Sequence, residues 1–388
     1  MKIDIVGGGP GGLFLAYLIR KEHPSWSVRV FEQNDANATY GWGVVFSDIA
    51  LGFLNRTDAE FSRRFVAQHV RSDHMEIVHR GVHVSIDGNS FSRVSRIALL
   101  RLLHAECRAV GVDLRFGVRV DDAAQLNDAD LVVVADGIHS RTRDRLAHAF
   151  GPSFTQRRNK FAWYGTTQLF QAVSLIFRET QYGVFIAHCY QYSSGMSTFL
   201  IETDPETWRN AGLDRMEDAQ SRTFCERIFA ENLRGNALQS NKSVWFDAVA
   251  VRNERWHDGN CALLGDALRS VHFSLGSGTR MAMEDAIALN DGLRAHSTDL
   301  DAVFGHFDAI RRPASERFQL AAAKSLDWYE QVADKMALDP LGFAYDYMLR
   351  TGRITHDDLR LRAPVFTARY EAQYGTAAVR QQATASSI

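Results

Sequence analysis

Cysteine is scarce in this chain. Cys107, Cys189, Cys225 and Cys261 are its four cysteines, and no two of them form a Cys-x-x-Cys pair. Neither a zinc site nor a disulfide framework is signalled, and the pattern suits a reducing cytoplasm. Net charge is scarce too: a formal −2 at pH 7 gives no reason to expect a nucleic-acid or membrane-surface partner. No apolar run is long enough to cross a bilayer, and the stretch 13–19 ends at Arg20-Lys21-Glu22. Met1-Lys2 leads straight into Ile3-Asp4-Ile5-Val6 without the features of a signal peptide, so no targeting segment is expected. Internal repeats are absent. The Gly-x-Ser-x-Gly elbow of serine hydrolases is missing, since Ser277 between Gly276 and Gly278 has the wrong spacing. No helical His-x-x-x-His pair suggests a metal, so the 14 histidines are expected on the surface or in hydrogen bonds.

What is present is a globular composition. Hydrophobic residues make up 46% and charged residues 23% of 388, enough for one large domain or two moderate ones with a substantial core. Only the tail 381–388 is expected to fray.

The strongest pattern lies at the start. Ile3-Asp4-Ile5-Val6 reads as a buried parallel strand, Gly7-Gly8-Gly9-Pro10-Gly11-Gly12 follows, 13–21 reads as a helix, and Val28-Arg29-Val30-Phe31 is a second strand closed by Glu32. Gly7, Gly9 and Gly12 form Gly-x-Gly-x-x-Gly, and Glu32 stands 20 residues after Gly12. Each residue has a physical job in a dinucleotide-binding βαβ unit. Gly7 allows the tight turn, Gly9 lets the backbone approach a pyrophosphate, and Gly12 lets helix and sheet pack closely. The helix N-terminus offers free N–H groups to phosphates. Glu32 can accept hydrogen bonds from ribose hydroxyls. The bland alternative is a glycine-rich turn with no nucleotide.

Two later strand ends carry similar signals. Leu131-Val132-Val133-Val134 runs into Ala135-Asp136-Gly137-Ile138-His139-Ser140-Arg141-Thr142-Arg143. Cys261-Ala262-Leu263-Leu264 runs into Gly265-Asp266-Ala267, followed by a loop with Gly276-Ser277-Gly278-Thr279 and a helix. Ala-Asp-Gly-x-x-Ser-x-x-Arg resembles the second fingerprint of the flavoprotein aromatic hydroxylases, single-component enzymes that bind FAD and use NADPH or NADH as a transient reductant. In that family the Gly-Asp aspartate lies near the ribityl chain, and the next helix N-terminus faces the pyrimidine end of the flavin. Arg96, at the start of a helix over 97–110, matches a family arginine that contacts FAD; its other reading is a solvated helix-start residue. Phe273 stands where the family usually has proline, Arg269 where it has histidine, and Arg280 where asparagine is common.

Further stretches resemble one subgroup: Gly41-Trp42-Gly43-Val44-Val45, whose backbone would run beside the isoalloxazine, Arg158-Asn159-Lys160-Phe161-Ala162-Trp163-Tyr164-Gly165, and Arg353-Ile354-Thr355-His356-Asp357-Asp358-Leu359. Together they resemble salicyloyl-CoA 5-hydroxylases, the monooxygenase half of 2-aminobenzoyl-CoA monooxygenase/reductase, and the tryptophan-side hydroxylase of violacein biosynthesis. The resemblance implies an α/β fold of the p-hydroxybenzoate hydroxylase type, with a Rossmann-like FAD-binding domain, a β-rich substrate domain and C-terminal helices. It implies that NAD(P)H reduces FAD, that O2 then yields a C4a-hydroperoxide, and that an activated aromatic ring is hydroxylated. The substrate would be an aryl-CoA or carrier-protein thioester or, alternatively, an indole or tryptophan-derived intermediate. An FAD oxidoreductase without oxygen insertion and a non-enzymatic flavin module are the readings from other classes.

The expected division is discontinuous. Segments 1–70, 95–152 and 244–311 form the FAD domain, 71–94 and 153–243 the β-rich domain, and 312–388 a helical segment opened by Pro313. Expected FAD contacts are Gly7, Gly9, Gly12, Glu32, Gly43, Val44, Val45, Arg96, Asp136, Asp266, Gly276, Gly278 and Thr279. Candidates for the substrate pocket are Trp163, Tyr164, His188, Tyr190 and Phe273, together with Val45; such aromatics more often pack in a core than serve as a substrate platform. His188 is the one candidate for polarising a phenol or amine, and a histidine satisfied within the sheet is its alternative. Arg141, Arg143, Arg145, Arg157 and Arg158 either attract CoA or NADPH phosphates or form a solvated face. The helical stripe Phe318, Ala322, Leu326, Tyr329, Ala333 and Met336 is expected to pack on the FAD domain. A monomer or homodimer in the cytoplasm is expected.

Overall fold

The computed structural model describes residues 1–38, 41–270 and 275–385. Its first layer follows from the apolar runs. Lys2–Val6 and Leu131–Val134 are almost wholly buried, so they need cover on both faces, which a parallel sheet between helices supplies. The six-stranded sheet runs in the order His257–Asp258, Cys261–Leu263, Leu131–Val134, Lys2–Val6, Ser27–Glu32, Asp113–Phe116, parallel except at its first edge. Pro10–Glu22 packs between Arg96–Ala109 and Gly278–His296, burying every residue from Pro10 to Ile19. Asp4, buried mid-strand, is matched by a two-pronged ion pair from Arg29, at 2.6 and 2.5 Å.

The second layer is an eight-stranded sheet built around Pro152–Thr166, Ser197–Thr203, Gly183–Gln191 and Val173–Thr180, with Met75–His79 and Val82–Ile86 at one side. Side chains alternate between its faces. Tyr164, Phe185, Cys189 and Phe199 point outward into a core closed by Asp218–Ile228 and Ala230–Leu233. Ile77, Phe177 and Ile186 point inward, where Trp328, Tyr329 and Phe343 cover them. A small third sheet, Gly43–Ser47, Phe91–Ser95 and Val70–Ser72, sits between the two layers.

Three expectations are corrected. Phe246–Asn253 was assigned to the FAD segment 244–311, but it pairs along Pro152–Thr166 and belongs to the eight-stranded sheet. Alternation along a half-exposed strand does not reveal which sheet it joins. Pro313 does not open its helix; the helix is Leu300–Glu330, capped by Asp299 on Ala302 N. An interior proline costs about 3 kcal/mol. This one is exposed, and packing on both sides holds the helix through it: Arg311 to Asp285, Arg312 over Trp256, and Trp328 and Tyr329 further on. The helical stripe does not pack on the nucleotide-type layer: Tyr329 and Met336 are buried in the core of the eight-stranded sheet, Leu326 is buried, and Ala333 is exposed, while it is the earlier part of the helix, Val303, Phe304 and Phe307, that packs on the nucleotide-type layer.

Candidate active site

Three strand-to-loop turns converge at the carboxyl ends of the parallel strands. Gly7 has φ +110° and donates its N–H to Phe31 O at 2.8 Å; a Cβ here would strike the Ala135 backbone. A Cβ at Gly12 would strike Gly7 O, so helix and turn touch without side chains between them. Gly9 differs, because nothing lies within 4 Å of where its Cβ would be. It begins the helix Pro10–Glu22 with no side-chain cap, leaving N–H groups and the positive dipole end facing open space. Glu32 accepts from Gly8 N at 2.8 Å and from Asn34 N at 2.8 Å, which fixes the carboxylate beside the turn.

Arg143 ties the second turn to the third. Expected within a solvated or phosphate-attracting run, it is fully buried and donates to Ile138 O at 3.1 Å, Ala267 O at 3.3 Å and Asp144 at 2.9 Å. Arg157 is also engaged, with Asp327 at 2.6 Å, while Arg141 and Arg145 are surface residues. Asp136, two residues past the strand Leu131–Val134, has Oδ1 buried and unpartnered, and burial pushes its carboxyl up to about 6 against hydrogen bonds from Ser140 and Thr142. Such an orphaned acceptor calls for a hydroxyl or N–H partner.

The third turn is braced from behind. Asp285, fully buried, receives Arg269 at 2.6 and 2.9 Å and Arg311 at 2.8 Å, and it accepts from Gly265 N at 3.3 Å. Arg269 thus clamps the Gly-Asp turn to the helix Gly278–His296. Asp266 keeps an exposed side chain, yet protein surrounds it closely enough for desolvation to raise its carboxyl, against the opposing charges of Arg269 and Arg96. That combination fits a side chain on the wall of a recess. Arg96 stands on the same wall, half-buried, its guanidinium lowered by desolvation and opposed by Asp266 and Tyr190. Gly278 opens its helix next to Asp266 Oδ1, and Gly276 lies against Val45. Glycine turns with no room for a Cβ, an uncapped helix end, an Asp136 Oδ1 without a partner and the opposed charges of Arg96 and Asp266 fit a dinucleotide with a long polyol chain.

The eight-stranded sheet forms the opposite wall. Gly43 N donates to Thr198 Oγ1 at 3.1 Å, and Tyr190 OH donates to Gly43 O at 2.9 Å. Gly41 packs on the Trp163 ring, Gly165 on the Trp42 ring, and Trp42 Nε1 donates to Trp163 O at 3.3 Å. The loop 41–43 is therefore clamped to the sheet by both faces of its backbone. Trp163, Leu200, His188 and Leu175 lie in one inward row, with Tyr190 next along its strand. Tyr164 does not join them. It follows Trp163 on the strand, so it points to the outer face, 1% exposed, with its hydroxyl 3.4 Å from Ser221. Phe273 lies outside the described residues.

His188 has partners that the sequence did not suggest. Its Nε2 is 2.8 Å from Glu202 Oε2, Glu202 is fully buried, and Asn159 Nδ2 donates to Glu202 Oε1 at 2.7 Å. Tyr329, from the helix Leu300–Glu330, packs on the His188 ring at 5.3 Å between centroids.

Residues 1–318 match the family model described as FAD binding domain. The chain belongs to the FAD-binding family of single-component aromatic hydroxylases. It is an NAD(P)H-dependent FAD monooxygenase. This hydroxylase is 38% identical over 361 residues to salicyloyl-CoA 5-hydroxylase of a Streptomyces species, covering 90% of this chain and 70% of the relative. It is 33% identical to protodeoxyviolaceinate monooxygenase of Chromobacterium violaceum, covering 90% and 94% of the two chains. To 3-hydroxy-4-methyl-anthranilyl-[aryl-carrier protein] 5-monooxygenase of Streptosporangium sibiricum it is 32% identical, covering 92% and 97%. Among solved structures, p-nitrophenol 4-monooxygenase of Pseudomonas putida superposes with a TM-score of 0.71 at 15% identity, covering 95% and 97%. At that identity the likeness shows the shared fold of the hydroxylase. Among the described residues no cluster of His, Cys, Asp or Glu could hold a metal, and no helix is long and apolar enough to cross a membrane.

Proposed function

We propose that the hydroxylase binds FAD along the cleft and hydroxylates the electron-rich ring of an aryl thioester, of the salicyloyl or aminobenzoyl type. Gly9 and the N-terminus of Pro10–Glu22 receive the pyrophosphate, and Glu32 receives the adenosine ribose. Asp136, Asp266 and Arg96 line the path of the ribityl chain. Gly43, Val44 and Val45 on one side, and Gly276, Gly278 and Thr279 on the other, flank the ring system. Reduced by NADH or NADPH, the bound flavin supplies, with O2, the oxygen inserted into the substrate ring. The chain's own tasks are to hold that ring against Trp163 and Tyr190, to exclude water, and to manage the ring's proton.

One observation carries the thioester reading. No lysine or arginine projects from the inward side of Val173–Thr180, Gly183–Gln191 or Ser197–Thr203, and the carboxylate of Glu202 lies there instead. A free benzoate would bring a second negative charge to a face whose own strands supply a carboxylate and no cation, the neighbouring Arg93 and Arg96 coming from other elements, whereas a thioester carbonyl is neutral. Two of the similar enzymes are named for thioester substrates, a CoA ester and a carrier-protein ester.

The test is anaerobic flavin reduction by NADH and NADPH with salicyloyl-CoA, 2-aminobenzoyl-CoA, the two free acids and an indole panel. Acceleration by a thioester and not by its acid is the expected result. Equal rates with ester and acid would sink the thioester assignment, and acceleration by an indole alone would move the enzyme to the substrate type of the violacein-pathway relative.

A further inference from the structure

We infer that His188, Glu202 and Asn159 form a proton-accepting relay in which Glu202 fixes the His188 tautomer and leaves Nδ1 bare toward the substrate ring. The inference rests on the hydroxylase reading above and adds to it the residue that takes the ring proton.

The geometry is directional. Asn159 Nδ2 can only donate, and its 2.7 Å bond to Oε1 requires an accepting oxygen on Glu202. Oε2, 2.8 Å from His188 Nε2, is then placed to accept as well, which puts the ring hydrogen on Nε2. Nδ1 is left with a lone pair. Among the described residues no hydrogen bond engages it, and it is not among the buried atoms lacking a partner, so it keeps some exposure. His188 is 12% exposed at the side chain, on the same inward face as Trp163 and one rung, about 7 Å, from Tyr190, whose hydroxyl reaches Gly43. The ring is held from behind by Tyr329, beyond which Arg350 lies 5.9 Å from the Tyr329 ring. Glu202, Tyr329, Tyr190 and Arg350 are the ionisable groups placed around it.

A ring hydroxyl activates the carbon to be attacked only as far as its oxygen donates electrons, and a phenolate donates more than a phenol. In the relay the phenol O–H bond breaks, its electron pair stays on oxygen, and the proton forms a bond to Nδ1. The imidazolium keeps its Nε2–H on Glu202, so the new positive charge sits beside a buried carboxylate. When the hydroxylated ring regains aromaticity, the C–H bond of the attacked carbon breaks, its proton leaves to solvent and its electron pair returns to the ring; the same oxygen takes back the proton held on Nδ1, and His188 returns to its starting state. His188 is the catalytic residue of this scheme, and Glu202 and Asn159 are positioning residues.

Two measurements on the holoenzyme test it. The first is 15N NMR of histidine-labelled protein, with His188→Gln identifying the signal. A protonated Nε2 and bare Nδ1 are expected, and the opposite tautomer overturns the relay. The second is the absorbance of bound salicyloyl-CoA. Wild type is expected to show the phenolate band. His188→Gln, whose amide can still donate to Glu202, and the isosteric Glu202→Gln are expected to bind the thioester within about threefold of wild type but to lose the band. kcat falls by about 100-fold while KM stays within about threefold. A phenolate band that persists in His188→Gln overturns the proposal. Failure of wild type to bind salicyloyl-CoA would count against the thioester reading alone, and the tautomer would still decide the relay.

Discussion

The two walls of the cleft are built on different principles. On the parallel-sheet side, the working groups are mostly backbone: N–H groups at a helix start, carbonyls, and glycines whose missing side chains leave room. On the eight-stranded side they are side chains drawn from distant segments, namely Trp163, His188, Glu202 and Tyr329. A backbone site tolerates little at a few positions and shows as a fixed local spacing. A side-chain site tolerates substitution as long as the face is kept, and leaves no spacing to read. The first wall suits a cofactor common to many enzymes, the second a substrate that varies among them.

The contrast can be broken or sharpened by substitution. The largest effect is expected at Gly12→Val, where the new side chain would collide with Gly7 O; the chain should lose more than about 4 kcal/mol of stability or fail to take up FAD, seen as colourless protein. Gly9→Ala is its control. With nothing within 4 Å of the new Cβ, the apoprotein should melt as wild type does while FAD affinity falls. Asp285→Asn comes next: two buried arginines lose their carboxylate, and about 3–5 kcal/mol should be lost, read from denaturant unfolding.

The Asp136 carboxyl sharpens the same wall by pH. Burial raises it from 3.8 to about 6, so between those values the folded apoprotein holds more protons than the unfolded chain. Its contribution therefore favours folding at low pH and is lost as pH rises toward 6, by at most about 3 kcal/mol. Apoprotein melts from pH 4 to 7 should show Asp136→Asn without this part of the slope; identical slopes would refute the assignment. On the other wall, Tyr190→Phe leaves Gly43 O without its donor and should cost about 1–2 kcal/mol, with looser FAD binding. Tyr164→Phe should do least, under about 1 kcal/mol and with unchanged kcat/KM, because its hydroxyl only meets Ser221 on the far face at 3.4 Å. A loss of activity there would break the division of the sheet into a working face and a core face.

The first fifty residues show what local chemistry makes legible. Gly7, Gly9, Gly12 and Glu32 serve within one βαβ unit, so their spacing is their geometry. Arg143 shows the limit: a run of arginines reads as a solvated face, and only the fold reveals that this one joins the Asp-Gly turn to the Gly-Asp turn. Trp163 and Tyr164 were equal as aromatic neighbours, and the pleat separated them. Glu202 lies in Met196-Ser197-Thr198-Phe199-Leu200-Ile201-Glu202-Thr203, where nothing local announces a carboxylate that orients a histidine 14 residues away. Tyr329 was legible only as one member of a helical stripe.

The sequence by itself determined the nucleotide-type layer, its three turns and the class of cofactor, because glycine's missing side chain and a helix's free N–H groups act over a few residues. Tertiary structure alone decided which face of the eight-stranded sheet meets the cleft, which helix closes it, and which carboxylate stands behind His188. Those outcomes depend on strand register and on contacts between segments more than a hundred residues apart, where neighbouring residues in the chain carry no record of the partner they will meet.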